Sequence, residues 1–394
     1  MPLWAGLAEK YDLTFFAPNA ARQALGMGLS ASSMAEYADG DLQEEAANEA
    51  ARLSANVVNA LPQLQEQFAA VYGADGAPEL TTDLHAWLPG FVHHYLKESV
   101  AMLKALERLY TAKDVAACLV HEDVTYSMRG LVGFAKTRDV PTIHLPHAAC
   151  HLLPGVRDIH REARADVVLA SGDYMADFYS EAGVPREQIK TVGVPAWDCF
   201  YNETQPARKE ARGVLHIAEE QVVICYASTW PQTTSLRSRF EREMDEGLSA
   251  VLKLAREWQA VVIVKGHPNE DPRTADFYSK ALETANLPGL VMREHTPYAL
   301  AASDVLIAQA PSNLCIEAAI VGLPSCYIQT EGFDYATALP YRSTADGLPR
   351  AASLARASGG VSSAWGEFVV TYNDAHPHGG ATERAVNEIV GIAQ

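Results

Sequence analysis

Hydrophobic and polar positions change their period along this chain, and the changes divide it. "MPLWAGLAEKYDLTFFAPN" reads as a short helix followed by a strand over Leu13–Ala17. A βα domain ordinarily opens on a strand and a glycine turn. Here the pattern opens helical, so the first strand of an N-terminal Rossmann-like domain is expected to be absent or supplied in another way. From Ser33 to about Val71 the spacing is helical in an Ala- and Glu-rich background. "GADGAP" (Gly73–Pro78) interrupts it, and "LHAWLPGFVHHYLKESVAMLKALERLYTA" resumes it. Trp87, Phe91, Tyr95 and Met102 in that stretch are expected to be core contacts. His93 and His94 are adjacent, so they face different sides of a helix and make no ligand pair.

The period then shifts to short apolar runs alternating with amphipathic segments. "VAACLVHED", "PTIHLPH", "ADVVLASG" and "IKTVGVP" read as strands, with helices over "TYSMRGLVGFAKTRDV" and "DYMADFYSEAG". A polar stretch from Tyr201 to Ala218 reads as a linker. The alternation restarts with the strands "QVVICYAS", "AVVIVKGHP", "GLVMRE" and "VLIAQAP", and "APSNLCIEAAIVGLPSCYI" adds a helix and a further strand. Strands alternating with helices predict parallel, doubly wound sheets. The expected fold is α/β, with two Rossmann-like domains facing a central cleft. The N-terminal domain spans 1–205, with a helical insertion over about 33–113, and the C-terminal domain spans 206–394.

Composition narrows the classes of function. The chain has 394 residues, 48% hydrophobic and 20% charged, which suits two folded domains. A net charge of −18 argues against nucleic-acid partners and against electrostatic docking on an anionic leaflet. The six cysteines include no C-x-x-C pair and sit among Val, Ile and Leu, as expected for buried thiols in a reducing compartment. No run reaches the ~20 apolar residues of a membrane span, and the first residues do not read as a signal peptide. The expected location is cytoplasmic, with room for peripheral association at the inner face of the plasma membrane.

Chemistry gathers at the carboxyl ends of the predicted strands, where ligands bind in such sheets. Ser228 and Thr229 follow one strand, Gly266 and His267 a second, and Ser312 and Asn313 a third, opening a helix that carries Glu317. In the first half, His121, Glu122 and Asp123 follow a strand, and His144 and His147 flank Pro146. Ser or Asn before a helix is often only a cap. Three successive strands of one domain ending alike suit a phosphate, because a helix N-terminus offers unpaired N–H groups and a positive dipole end. Glu317, one turn further in, suits ribose hydroxyls; its alternative is a solvated helix residue. No P-loop and no G-x-G-x-x-G after a strand is present, which removes the main support for kinase and dinucleotide readings. "HPHGG" near the C-terminus has two histidines two apart and reads as a loop before the last helix. No metal site is expected.

"IHLPHAA", "ASGDYMADFYSEAGVPREQIKTVGVPAWD", "VVIVKGHP" and "APSNLCIEAAIVGLPSCYI" together resemble GT-B-fold transferases of bacterial surface polymers, from about Ala117 to the C-terminus. The likeness is to CDP-glycerol glycerophosphotransferases of teichoic-acid synthesis and to capsule polysaccharide glycosyltransferases that use CMP-activated sugars. The resemblance implies His147 as catalytic base and His267 as a donor-phosphate contact; Glu122 and Asp123, at the end of a first-half strand, are the other candidate bases. It implies that Ser312, Asn313 and Glu317, with Ser228 and Thr229, bind the donor. Asp198 matches the Asp of a G-x-P-R-x-D pattern. Ala148 replaces the Gly that follows the family's catalytic His; Ala196 and Gln232 replace an Arg and a commonly basic residue, which implies a donor or acceptor other than CDP-glycerol and its polymer. The expected partners are a nucleotide-activated donor, CMP- or CDP-linked in preference to UDP-linked, and a glycan or lipid-linked acceptor, with no separate cofactor. A nucleotide-sugar 2-epimerase of the same fold, or an inactive GT-B glycan-binding partner, are the alternatives.

Overall fold

The computed structural model describes residues 2–72, 77–122, 125–146, 164–201, 205–229, 237–268, 270–309, 312–328, 342–358, 363–375 and 377–394. Contacts divide the chain into two units. The first comprises 1–144 with 164–166 and 389–394, and the second 145–163 with 167–388. The boundary expected near 205 falls inside the second unit.

The first unit runs α1 (Pro2–Ala8), β1 (Leu13–Phe15), α2 (Pro18–Gly26), β2 (Ala31–Ser33), α3 (Gly40–Tyr72), α4 (Ala77–Ala112), β3 (Cys118–Val120), α5 (Tyr126–Lys136) and β4 (Thr142–His144). Helix α1 precedes the first strand, as the opening pattern predicts. β1 pairs in parallel with β2, and β3 with β4. The long pair α3 and α4 is the expected helical insertion. Its base joins α5 and β3 in a core of Leu42, Leu106, Leu109, Val120, Leu131 and Val132. Met102 packs against that core. Tyr95 is instead exposed and meets Tyr126 edge to face at 5.2 Å. The side chains of Trp87 and Phe91 lie outside the described ones.

The second unit begins with β5 (Val167–Ala170), α6 (Asp173–Glu181) and β6 (Ile189–Thr191), and a 3₁₀ turn (Pro195–Phe200) follows. After α7 (Arg208–Val214) come β7 (Val223–Ala227), α8 (Arg237–Trp258), β8 (Val261–Lys265), α9 (Thr274–Ala285) and β9 (Gly289–Met292). The chain continues through α10 (Thr296–Ala302), β10 (Val305–Ala308), α11 (Asn313–Ile320), β11 (Ser325–Ile328), β12 (Arg342–Ser343), α12 (Leu348–Ala357), α13 (Ser363–Tyr372) and α14 (Ala381–Ile392). Six parallel strands run in the order β12-β11-β10-β7-β8-β9. Counted from β7, this is the 3-2-1-4-5-6 order of doubly wound nucleotide-binding sheets.

The apolar runs of β7 and β8 are unbroken because both faces of the sheet are covered. Val223, Cys225, Ala227, Ile263 and Leu306 face a core built with α10, α11, α13 and Trp197. Ile224, Tyr226, Val262, Val264 and Ile307 face the other, built with α8, α9 and α12. Each such aliphatic side chain contributes roughly 1.5–3 kcal/mol on burial, so the sheet is a stiff platform. Arg212 ties α7 to it. Its fully buried guanidinium donates to the carbonyls of Ala302 (3.1 Å), Ala218 (3.0 Å) and Gln221 (2.9 Å) and to Asp304 Oδ2 (3.1 Å). No helix among the described residues is long and apolar enough to cross a membrane.

Candidate functional site

The expected donor-site residues all leave the second unit's sheet at its carboxyl edge. β7 and β10 are neighbours, and the connections reverse direction between them, which is where such sheets open a binding crevice. Ser228 and Thr229 follow β7 and are buried, His267 follows β8 and is half-buried, and Ser312 directly precedes α11 after β10.

The turn after β8 is fixed by a carboxylate that pattern reading passes over. Glu270 Oε2 accepts from Ser228 Oγ at 2.9 Å and from the His267 N–H at 2.9 Å, and Tyr278 Oη donates to its Oε1 at 2.7 Å. The His267 N–H also reaches Ser228 Oγ at 3.0 Å. Ser228 thus spends its hydroxyl on shaping the loop. Arg293 closes the turn by donating to the carbonyls of Pro268 (2.6 Å) and Glu270 (2.8 Å), and Lys265 Nζ donates to the Arg293 carbonyl at 2.6 Å. The bonds at His267 engage its backbone and hold the imidazole's point of departure.

Lys265 supplies the local positive charge. It ends the apolar run of β8, is buried, and burial pushes its ammonium below the usual lysine range. His267 is pushed down to about 4, first by desolvation and then by Lys265 and Arg293. It is therefore neutral near pH 7. Glu317 moves the other way: desolvation raises its carboxyl, against an opposing hydrogen bond from Trp197 and the charge of Lys265. The Lys265 ammonium acts on both His267 and Glu317, so these groups from β8 and α11 share one electrostatic neighbourhood.

Helix α11 begins with Ser312 in extended backbone (φ −148°, ψ 169°), and the Ser312 side chain makes no capping hydrogen bond. The Cys315 N–H returns to the Ser312 carbonyl at 3.0 Å. Asn313 and Ser312 are half-buried, while Cys315, Ile316, Ala318 and Ala319 pack inward. Glu317 departs from this apolar face and keeps part of its surface accessible. One of its oxygens, Oε1, accepts from Trp197 Nε1 at 3.0 Å. The arrangement gathers a helix start, a neutral imidazole and a carboxylate, the last two within the influence of a buried lysine, chemistry that suits an anion and hydroxyl groups.

Glu122 follows β3 in the first unit and is half-buried. His147, Asp123, Ala148 and Gln232 lie outside the described residues. Asp198 is a helix cap: its Oδ1 accepts from Ala381 N at 3.0 Å and its Oδ2 from Thr382 N at 2.7 Å, at the start of α14. Among the described residues, no group of three or more His, Cys, Asp or Glu is placed to hold a metal ion. Trp197, Lys265 and Glu270 were missed by pattern reading. Lys265 had a signal, a lone cation closing a five-residue strand; the other two are joined to the site by the fold.

Residues 146–309 match the family model of the CDP-glycerol:poly(glycerophosphate) glycerophosphotransferases. The match includes His147, Ser228, Thr229 and His267 and stops before Ser312, and it is the counterpart of the resemblance read from the sequence. No curated protein matches the chain significantly. Among solved structures, the chain is similar to a UDP-GlcNAc 2-epimerase from Neisseria meningitidis bound to UDP-GlcNAc, at 14% identity and TM-score 0.55, covering 75% of this chain and 81% of that one. It is likewise similar to S. aureus MnaA with UDP, at 14% identity and TM-score 0.52, covering 74% and 78%. The wall teichoic acid polymerase TagF is similar at 18% identity and TM-score 0.45, covering 64% and 68%. The likeness to the two UDP-bound proteins bears out the fold: α/β with Rossmann-like parallel sheets, of GT-B type.

Proposed function

We propose that this chain is a metal-independent transferase that moves a sugar or phosphopolyol from a cytidine-nucleotide donor to a hydroxyl of a cell-surface glycan or lipid-linked acceptor. The observation that carries the reading is the pairing of an anion-suited helix start, at Ser312, with a carboxylate one turn deeper, at Glu317, on a sheet of nucleotide-binding order. The family match over 146–309 supports transfer from a nucleotide-activated donor. In this reading the α11 amides and the Ser312 hydroxyl take the phosphate, His267 hydrogen-bonds it as a neutral ring, and Asn313 and Thr229 line the same donor. Glu317 takes the ribose. Charge that develops on the leaving phosphate meets donors already in place, so little reorganisation is needed. The acceptor hydroxyl gives its proton to His147, with Glu122 and Asp123 as the other candidate bases. The enzyme works on the cytoplasmic side, where activated donors are made, and meets lipid-linked acceptors at the membrane surface.

The test is incubation with CDP-glycerol, CMP-sugars and UDP-GlcNAc, with and without a glycerophosphate- or glycan-terminated acceptor. Acceptor-dependent release of CMP is expected. Conversion of UDP-GlcNAc without acceptor would make the chain an epimerase, and intact donors in every mixture would make it a binding protein.

A further inference from the structure

A tryptophan 120 residues from Glu317 in sequence reaches its carboxylate. Trp197 lies in the 3₁₀ turn Pro195–Phe200 and is buried against the α11 face of the sheet. The turn is anchored from three sides. Asp198 caps α14 through the N–H groups of Ala381 (3.0 Å) and Thr382 (2.7 Å). The Val194 N–H donates to Asn373 Oδ1 at 2.9 Å, and Asn373 Nδ2 donates to Tyr201 Oη at 2.9 Å. Gly193, at φ +85°, lets the chain pass so close that a Cβ there would lie 2.9 Å from both Ala381 Cβ and Asn373 Oδ1. An indole on so fixed a turn has one place for its N–H, and that place is Glu317 Oε1.

We propose that Trp197 is a positioning residue for ribose recognition: its N–H occupies Glu317 Oε1 and turns Oε2 toward the hydroxyls of the nucleoside. This rests on the nucleotide-binding reading above. Among the described residues no donor reaches Oε2. Indole is a donor only, so its hydrogen bond favours the ionised, accepting carboxylate against the upward push of burial and does not compete for the ligand's hydroxyls. The other titratable group acting on this carboxylate is Lys265 from β8, and the carboxylate in turn, after desolvation, pushes up the thiols of Cys199 in the turn and Cys315 in α11. Lys265 favours the ionised carboxylate. The clamp on α14 thereby joins the C-terminal segment to sugar recognition.

The experiment has two arms. In the first, calorimetry measures cytidine and 2′,3′-dideoxycytidine on wild type, Trp197→Phe, Glu317→Gln and the double variant. Trp197→Phe keeps an aromatic ring, and its melting temperature is read alongside. Loss of a hydrogen bond to a charged group predicts roughly 10-fold weaker cytidine binding in Trp197→Phe. Dideoxycytidine should be unchanged, and the double variant no weaker than Glu317→Gln alone. Equal losses for both nucleosides, or additive losses in the double variant, would overturn the positioning role. The second arm needs no ligand. The Trp197 indole N–H resonance, assigned through bonds in the wild type, should move with the ionisation of Glu317 and shift in Glu317→Gln. An unmoved resonance would overturn the pairing itself, even where Trp197→Phe does not fold. Absence of nucleoside binding by the wild type, with the indole shift present, would sink the nucleotide reading and leave the pairing standing.

Discussion

The two units build parallel β-structure from different material. In the second, β7 and β8 are five-residue strands with every residue buried, between two cores, and the charged groups that hold it are buried too. In the first, β1, β2 and β3 are three residues long and only partly buried, and the bulk is the helical pair α3 and α4. That pair is laced at its base by ion pairs with exposed members, Arg108–Asp39 at 2.7 Å and Lys104–Glu45 at 3.1 Å. The difference teaches where geometry can be held to a fraction of an ångström. The proposed site, which must match a phosphate and a ribose together, draws its residues from the carboxyl edge of the second unit's buried sheet.

Substitutions should separate the two kinds of construction, and the largest effect concerns chemistry. His147→Ala should lower turnover by roughly 10²–10⁴-fold, the loss expected with a general base, while calorimetric CMP affinity stays near wild type. Full activity in this variant would move the base to Glu122 or Asp123. Next comes the buried guanidinium. Arg212→Ala removes the donor from the carbonyls of Ala302, Ala218, Glu219 and Gln221, while Asp304 keeps Arg208 and the Val223 N–H, so it should cost about 1–3 kcal/mol and roughly a few degrees in melting temperature. Arg108→Ala breaks an exposed pair of the same type in the first unit and should cost about 0.2–1 kcal/mol. Similar losses from the two in thermal melts would erase the contrast between the units.

A smaller effect follows from His267. Its folded-state pKa is depressed to about 4 from the ordinary 6.5. The unfolded chain therefore binds the proton more readily, and stability rises with pH across this window. The contribution is complete above pH 6.5 and is lost as pH falls toward 4. Denaturant melts between those values should flatten in His267→Asn. Glu317 has the opposite sign: its raised carboxyl makes the folded state less stable as pH rises through its folded-state range. Glu317→Gln should remove that decline.

The second unit was the more legible in sequence because its strands are covered on both faces and read as unbroken apolar runs. That pattern located β7, β8 and β10, and with them Ser228, His267 and Ser312. The first strand was read two residues too long, since Phe16 and Ala17 continue its composition while Pro18 opens a helix. Strand β12 has only two residues and carries no period to read. Ser228 was located but not its use, because whether a hydroxyl meets a ligand or Glu270 depends on a turn that sequence spacing does not describe. Trp197 stands beside Asp198 in a motif where the family pattern marks only the Asp. Its partner is set by packing on α11, so its contact with Glu317 had no local signal.

Differential calorimetry on the second unit's carboxyl edge tests the central claim most directly. Wild type, Glu317→Gln and His267→Ala are titrated with cytidine and CMP in the full chain. The account predicts that Glu317→Gln weakens both ligands by a similar factor, roughly 10- to 150-fold for a hydrogen bond to a charged group. His267→Ala should weaken CMP alone and leave cytidine within error of wild type. Equal effects of the two substitutions on both ligands would contradict the division of ribose and phosphate roles, and a wild type that binds neither CMP nor cytidine would contradict the site.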